Sequence, residues 1–427
     1  MSKPVAKSRC LSILAALLAA VGCAGPQSAQ PADDNATALA SAGHAVPAMD
    51  PDGWTDSVYR HLTEAIAGSA GQGKIAVFDF DNTTQARDIG EAVLARVQQT
   101  AAINPGSLSP ALFPSFTAPD GAPVSISNGV FDYYEAVLAS GGGVDPFREY
   151  SSLPMPASVF QGHTVADFLT QTAAVYDGGS AAADVTSGRQ STILGAGRPF
   201  VYPQMADLYG NLRSNGYDVW VVSAGVAWAV RWMVQNALNP AIVAKYGKDA
   251  ALPLDHVVAV TMLMKDRRTG NLVSDYQLTH QSPDSAYIAL EPSRMAELEV
   301  LGIPDGLSSW RGGKSGAIDN VIGRGDLFLA AGDSLGDAGM LARATNRLIV
   351  NRMNKPDLAD GFAREIAEAP DANWMLQPVI SSAPVGFFET KCVMAKETAG
   401  DGELAATTDR SLATLEATGR LGSFTTC

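Results

Sequence analysis

Sulfur and imidazole are scarce in this 427-residue chain, which has four cysteines and five histidines. No Cys/His spacing matches a zinc site and the histidines are scattered, so a zinc module is excluded. Basic charge is short too, with 30 Lys and Arg against 44 Asp and Glu, a formal −14. The first 22 residues hold Lys3, Lys7 and Arg9 but no acid, which leaves −17 on the remainder. That sign argues against a nucleic-acid backbone as partner and suits a small substrate reached through a metal ion. No internal repeat is visible. The composition is 46% apolar and 17% charged, enough for a sizeable core in one large domain with an insertion, or in two domains.

The start reads as an export signal over residues 1–22, a basic stretch followed by the apolar run Leu11–Ala20. That run is too short to span a bilayer stably. Ala20-Val21-Gly22-Cys23 resembles a bacterial lipobox, in which Cys23 would carry the lipid. Residues 23–50 are rich in Ala, Ser, Gln, Pro and Asp without periodicity, the composition of a flexible tether. An exported lipoprotein, periplasmic or on the outer membrane, is the expectation, with a free secreted product as the alternative. Membrane contact would run through the lipid anchor only. Cys392 and Cys427 remain, either bridged in an oxidising compartment or left as two thiols.

Further on, strands alternate with helices, which indicates a mainly parallel sheet. Lys74–Phe78 is an apolar run ending in Asp79-Phe80-Asp81-Asn82-Thr83. Tyr217–Val222 ends at Ser223, with a helix expected over Ala224–Leu238; Leu327–Ala331 ends at Gly332-Asp333. Val257–Met264 and Leu272–Leu278 flank Arg267–Asn271 and read as a β-hairpin. A helix is expected over Ala338–Ala344, and a strand over Arg347–Val350. Parallel strands share a direction, so these carboxyl ends meet at one rim, where open α/β sheets place their chemistry.

Each side chain there suits a role. Asp79 is a candidate carboxylate nucleophile, and Asp81 a general acid and base. Ser223 and the following helix N-terminus offer an anion seat, or a simple N-cap, or both. Asp333 and Asp337 add oxygen ligands for a hard cation such as Mg2+. Lys314 is a candidate counter-charge for a phosphate, with Lys265 as competitor and a solvated surface position as the plain alternative.

In this order the residues resemble the haloacid dehalogenase superfamily: Asp79-Phe80-Asp81-Asn82-Thr83, then Ser223, then Lys314, then Gly332-Asp333 with Asp337. The resemblance implies an α/β fold with a Rossmann-like, mainly parallel sheet and a mostly helical cap inserted after the first motif. It also implies Asp79 as nucleophile and Asp81 as acid/base. Ser223 and Lys314 would lie on the phosphate; Mg2+ would sit on Asp79, Asp333 and the backbone carbonyl of Asp81. Thr83 is a supporting residue, and Asp337 would orient a metal-bound water or Lys314. The second aspartate, Asp81, marks the superfamily's phosphatases rather than its dehalogenases.

A narrower resemblance is to exported bacterial phosphorylcholine phosphatases. It rests on Arg198–Pro203, Phe131–Glu135, Phe160–Thr164 and the Asp333 motif. It implies a substrate with a quaternary ammonium, held by an aromatic cage from Phe131, Tyr133 and Tyr134 with Glu135 as counter-charge. Packing of the same rings into the cap's own core is the other reading.

The expected organisation is core over 51–95 and 196–385, cap over 96–195, and a weakly patterned tail over 386–427. The expected activity is phosphomonoester hydrolysis of a small phosphorylated metabolite. The alternatives are a lipoprotein that binds a phosphorylated ligand or partner without turnover, and a phosphotransferase of the same superfamily.

Overall fold

Seven strands form the central sheet of the computed structural model, which describes residues 46–141, 152–177, 199–305, 312–323, 327–382 and 384–427. The signal, Cys23 and the tether to residue 45 lie outside the described residues, as does Arg198. The strands are β1 (Ile75–Phe78), β2 (Asp218–Val226), β3 (Val257–Val260), β4 (Leu327–Gly332), β5 (Ala344–Arg352), β6 (Asn373–Ile380) and β7 (Gly386–Phe387). Their order is β7-β6-β5-β4-β1-β2-β3, and every pairing is parallel except β6 with β7.

The apolar runs follow from burial on both faces. In β1, Ile75 and Val77 pack into one core with Val222, Ala330 and Ile349. Ala76 and Phe78 pack into another with Val221, Leu329 and Leu348. A strand covered on both sides has no polar face to alternate with, so it reads as continuous apolar sequence. β1 lies between β4 and β2, which brings the ends carrying Asp79, Ser223 and Asp333 together. The ladder continues one step beyond β1: the Asp79 N–H donates to the Ala331 carbonyl at 2.9 Å.

Several expectations need correction. Val257–Val260 belongs to the central sheet rather than to a hairpin. The hairpin is shorter, Met262–Asp266 with Leu272–Val273, and Gln277–Gln281 is helical. Leu298–Pro304 joins it as a third antiparallel strand. This small sheet meets the segment after Ser158: Gly162 N–H donates to the Val300 carbonyl, and Val300 N–H to the His163 carbonyl, both at 2.9 Å. It therefore packs on the helical insertion. Arg231, fully buried in the helix after β2, ties the small sheet to the main one through Asp275, at 2.5 and 2.7 Å.

The helix expected over Ala338–Ala344 ends at Leu341, and Ala344 already starts β5. The 95/96 boundary expected for the cap falls inside a helix, Ile89–Thr100. The tail is helical over Lys391–Thr398 and Gly402–Glu416, and a disulfide joins Cys392 to Cys427 with their Cα atoms 5.6 Å apart. Ser423 in this tail accepts from Ser57 N–H at 3.0 Å, which fastens the C-terminus to the first described helix, Asp56–Gly68. No helix among the described residues is long and apolar enough to cross a membrane.

Candidate active site

The turn after β1 is set by its backbone. Asn82 adopts a left-handed φ of 60°, which Asn tolerates better than most residues. The Phe80 carbonyl accepts from the N–H groups of Thr83, Thr84 and Gln85 at 3.3, 2.8 and 3.0 Å. The chain thus folds back under Asp81. Thr84 Oγ1 donates to the Asp79 carbonyl at 2.7 Å and holds the strand end in place.

Around that turn lies a pocket of about 170 Å³. Asp79, Asp81, Ser223, Lys314, Asp333 and Arg352 line it, with Asp88 and Leu153 on the insertion side. That volume holds a phosphoryl group and a small alcohol, below the range for drug-sized ligands.

Asp79 and Lys314 are in direct contact: Lys314 Nζ donates to Asp79 Oδ1 at 2.6 Å and to Asp337 Oδ1 at 2.5 Å. The solvated-surface alternative for Lys314 is therefore wrong, since its side chain is 2% exposed, whereas Lys265 is exposed. Burial pulls the Lys314 pKa down, but Asp337 and Asp79 outweigh it and the net shift is upward. The ammonium stays charged. Thr83 Oγ1 sits between Asp79 Oδ2 at 3.1 Å and Asp333 Oδ1 at 3.2 Å. Burial pushes Asp79 up to about 8, with Asp337 and Asp333 adding to it and Lys314 opposing. Asp333 is also raised, first by burial, against the pull of Arg352.

Asp81 has one oxygen tied and one available. Its Oδ1 accepts from Gln85 Nε2 at 2.6 Å and from Ile89 N–H at 3.1 Å. Its Oδ2 is buried and meets no partner among the described residues. Burial, then the charges of Asp88 and Asp79, raise its pKa well above the carboxylate range. A carboxyl whose surroundings favour its protonated form and that has an unengaged oxygen in the pocket is suited to general acid catalysis.

Asp79, Asp333 and Asp337 each offer an oxygen within 4.8 Å of the others. Asp337 is already engaged, however. Besides Lys314, it accepts from Asp333 N–H, Ser334 N–H and Ser334 Oγ at 3.1, 3.0 and 3.2 Å. It is an anchor, which leaves Asp79 and Asp333 as the carboxylates with room for a cation. The hard oxygen donors fit Mg2+. The Asp81 carboxyl stands outside this group.

Ser223 corrects another expectation. β2 continues through Val226, and the helix begins at Ala227, so Ser223 is no helix cap. Its Oγ instead accepts from Gly225 N–H at 3.0 Å, and it lines the pocket with Ala224 and Gly225.

The aromatic cage is not where it was expected. Phe131, Tyr133 and Tyr134 are buried in a hydrophobic core, and neither they nor half-buried Glu135 lines the pocket. Tyr133 donates to the Pro114 carbonyl at 2.8 Å and Tyr134 to Glu91 Oε1 at 3.2 Å. These hydroxyls bond within the insertion, which is what buried tyrosines require.

Sequence reasoning missed Gln85, Asp88, Gly225 and Arg352. Arg352 ends β5 and pairs with Asp333 Oδ2 at 2.7 Å. Its signal was present, since it too follows an apolar strand.

No family model matches the chain. It is 28% identical over 360 residues to the phosphorylcholine phosphatase of Pseudomonas aeruginosa, covering 80% of this chain and 95% of that one. The likeness runs over most of both chains. Among solved structures, a conserved protein of unknown function from Anaerococcus prevotii is similar at TM-score 0.48 and 19% identity, over 81% of this chain and 97% of that one. A phospho-aspartyl intermediate analogue of phosphoserine phosphatase is similar at TM-score 0.31 and 15% identity, over 65% and 86% respectively. In this chain the paired aspartates, the buried lysine and the pocket serine stand together at the carboxyl rim of one α/β sheet.

Proposed function

We propose that this chain is an exported, Mg2+-dependent phosphomonoesterase that works through a phospho-Asp79 intermediate. The observation that carries the reading is Asp81, a buried carboxyl with one oxygen unengaged, beside an Asp79 that is ion-paired to Lys314. Binding alone has no need of such an acid.

Asp79 attacks phosphorus, the bond to the alcohol oxygen breaks, and Asp81 gives that oxygen its proton. Asp81, now a carboxylate, takes a proton from water; the water oxygen bonds to phosphorus and the Asp79–phosphorus bond breaks, releasing phosphate. Ser223 and the Gly225 region seat the phosphoryl oxygens, and Lys314 balances their charge. Mg2+ held by Asp79, Asp333 and the Asp81 carbonyl would neutralise charge on the transferred group. Asp337 fixes Lys314.

The substrate on this reading is a small phosphate ester. Phosphocholine is supported by the relative's name and by the resemblance of Phe160–Thr164 and the Asp333 motif, and not by the expected cage residues, which lie away from the pocket. Export with a lipid on Cys23 rests on the sequence of residues 1–50.

Hydrolysis of a nitrophenyl phosphate, with Mg2+ and with chelator, tests the reaction. Full activity of Asp79→Asn would sink the mechanism. Phosphocholine, phosphoethanolamine and phosphoserine compared by kcat/KM test the leaving group; equal values would remove any preference for an ammonium.

A further inference from the structure

Arg352 is built into the cation site from the neighbouring strand. It ends β5, its side chain is 17% exposed, and its Nη2 lies 2.7 Å from Asp333 Oδ2. Asp333 thus faces two ways: Oδ1 toward Thr83 and Asp79, Oδ2 toward the guanidinium. The Arg352 Nε is buried without an acceptor among the described residues, and Arg352 lines the pocket with Ser223 and Lys314. Lys314, by contrast, is committed to Asp79 and Asp337.

Formal charge shows the consequence. Once Asp79 has given up its proton, as a bound cation requires, Asp79, Asp333 and Asp337 carry three negative charges, and Lys314 and Arg352 two positive ones, all in a buried site. A divalent cation alone turns this net −1 into +1, with two positive groups sharing Asp333. A phosphoryl dianion arriving with it returns the site to −1 and gives the guanidinium an acceptor. Unbalanced charge is costly where water is excluded.

We infer that Arg352 makes cation binding conditional on phosphate: it repels the cation that shares Asp333 and attracts the phosphoryl oxygens that follow. The inference rests on the reading above, in which Asp79 and Asp333 hold the metal. It makes Arg352 a coupling residue between two ligands.

Calorimetric titration of the intact protein with Mg2+, with and without inorganic phosphate, tests it. In the wild type, phosphate is expected to tighten Mg2+ by about tenfold or more, and by linkage Mg2+ tightens phosphate equally. Arg352→Gln removes the charge and leaves a polar amide in its place. It should bind Mg2+ alone at least about tenfold tighter, with the coupling reduced toward unity. Arg352→Lys, which keeps the charge, should retain the coupling and confirm that charge is the cause. An Arg352→Gln protein that melts like wild type and binds Mg2+ no tighter, with coupling intact, overturns the inference alone. Wild-type protein that binds no Mg2+ overturns both this inference and the functional reading beneath it.

Discussion

Gly225→Ala is the most local test of the Asp81 assignment. Gly225 is not among the glycines with positive φ, so alanine meets no backbone objection there. The difficulty is space. A Cβ at 225 would lie 2.4 Å from Asp81 Oδ2 and 3.3 Å from Ser223 Oγ. The carboxyl cannot rotate away freely, because its other oxygen is held by Gln85 and the Ile89 amide. Breaking those bonds costs about 0.5–1.5 kcal/mol each, and overpacking about 1–3 kcal/mol in total. A stability loss of about 1–3 kcal/mol is therefore expected in urea unfolding. The effect on rate should be larger. A positioned general acid contributes about 10²–10⁴-fold, so a displaced Asp81 should lower kcat at least about a hundredfold, or ~2.7 kcal/mol. Leaving-group dependence separates the causes: an alkyl phosphate needs its oxygen protonated, whereas nitrophenolate leaves with less help. The loss should be markedly greater for the alkyl ester. Gly400→Ala, where an added Cβ meets nothing within 4 Å, serves as control. Wild-type kcat on both esters with an unchanged melting temperature would refute the geometry on which Asp81 was assigned.

Asp79, raised to about 8 by burial, is mostly protonated at pH 7 in the cation-free protein, so Mg2+ binding should release close to one proton. Apparent affinity should climb with pH up to about 8 and flatten above it, checked by calorimetry in buffers of different ionisation enthalpy; constant affinity between pH 6 and 8 would contradict this. The same shift has a stability sign: Asp79 binds its proton more tightly folded than unfolded, so its contribution falls as pH rises from the ordinary carboxylate range through about 8. Asp275→Ala leaves the guanidinium of fully buried Arg231 without its carboxylate and should cost about 3–5 kcal/mol in urea unfolding; a loss under 1 kcal/mol would show that water reaches Arg231. Cys392→Ser opens a bridge between residues 35 apart, worth about 3–4 kcal/mol by chain entropy, and a melt unchanged by reductant would show that the tail holds without it.

The rim was legible in the sequence because buried parallel strands announce themselves as apolar runs, and the residue after each run marks the sheet's carboxyl edge. Asp79, Ser223 and Asp333 came from that rule alone. Arg352 obeys it too, after Leu348-Ile349-Val350-Asn351, but the apolar run stops at Val350, two residues short of the arginine that ends the strand. Lys314 keeps a solvated position as its plain alternative because nothing in Gly312-Gly313-Lys314-Ser315 reveals burial; that comes from carboxylates 235 and 23 residues away. Tyr133 and Tyr134 misled for the complementary reason. An aromatic cluster looks the same in sequence whether it faces a ligand or a core, and only the partners of their hydroxyls, Pro114 and Glu91, tell the two apart.

The same limit applies to the aspartates, which share a side chain but not a job. Asp337 has both oxygens taken by donors: Lys314 on one, two backbone amides and a hydroxyl on the other. Asp81 has donors on one oxygen and none among the described residues on the other. An asparagine offers one accepting oxygen and one donating NH2. At 81 the NH2 can take the place of the protonated oxygen, so Asp81→Asn should fold within about 1 kcal/mol of wild type while losing the acid. At 337 the NH2 must face either the Lys314 ammonium or the Asp333 and Ser334 amides, donor against donor whichever way it turns. Asp337→Asn should therefore cost more stability, about 2–4 kcal/mol, despite lying outside the reaction itself. Urea unfolding of the two variants at pH 7 decides it. An Asp81→Asn protein less stable than Asp337→Asn would mean that Asp81 is held as a carboxylate, and the case for it as the proton donor would fall.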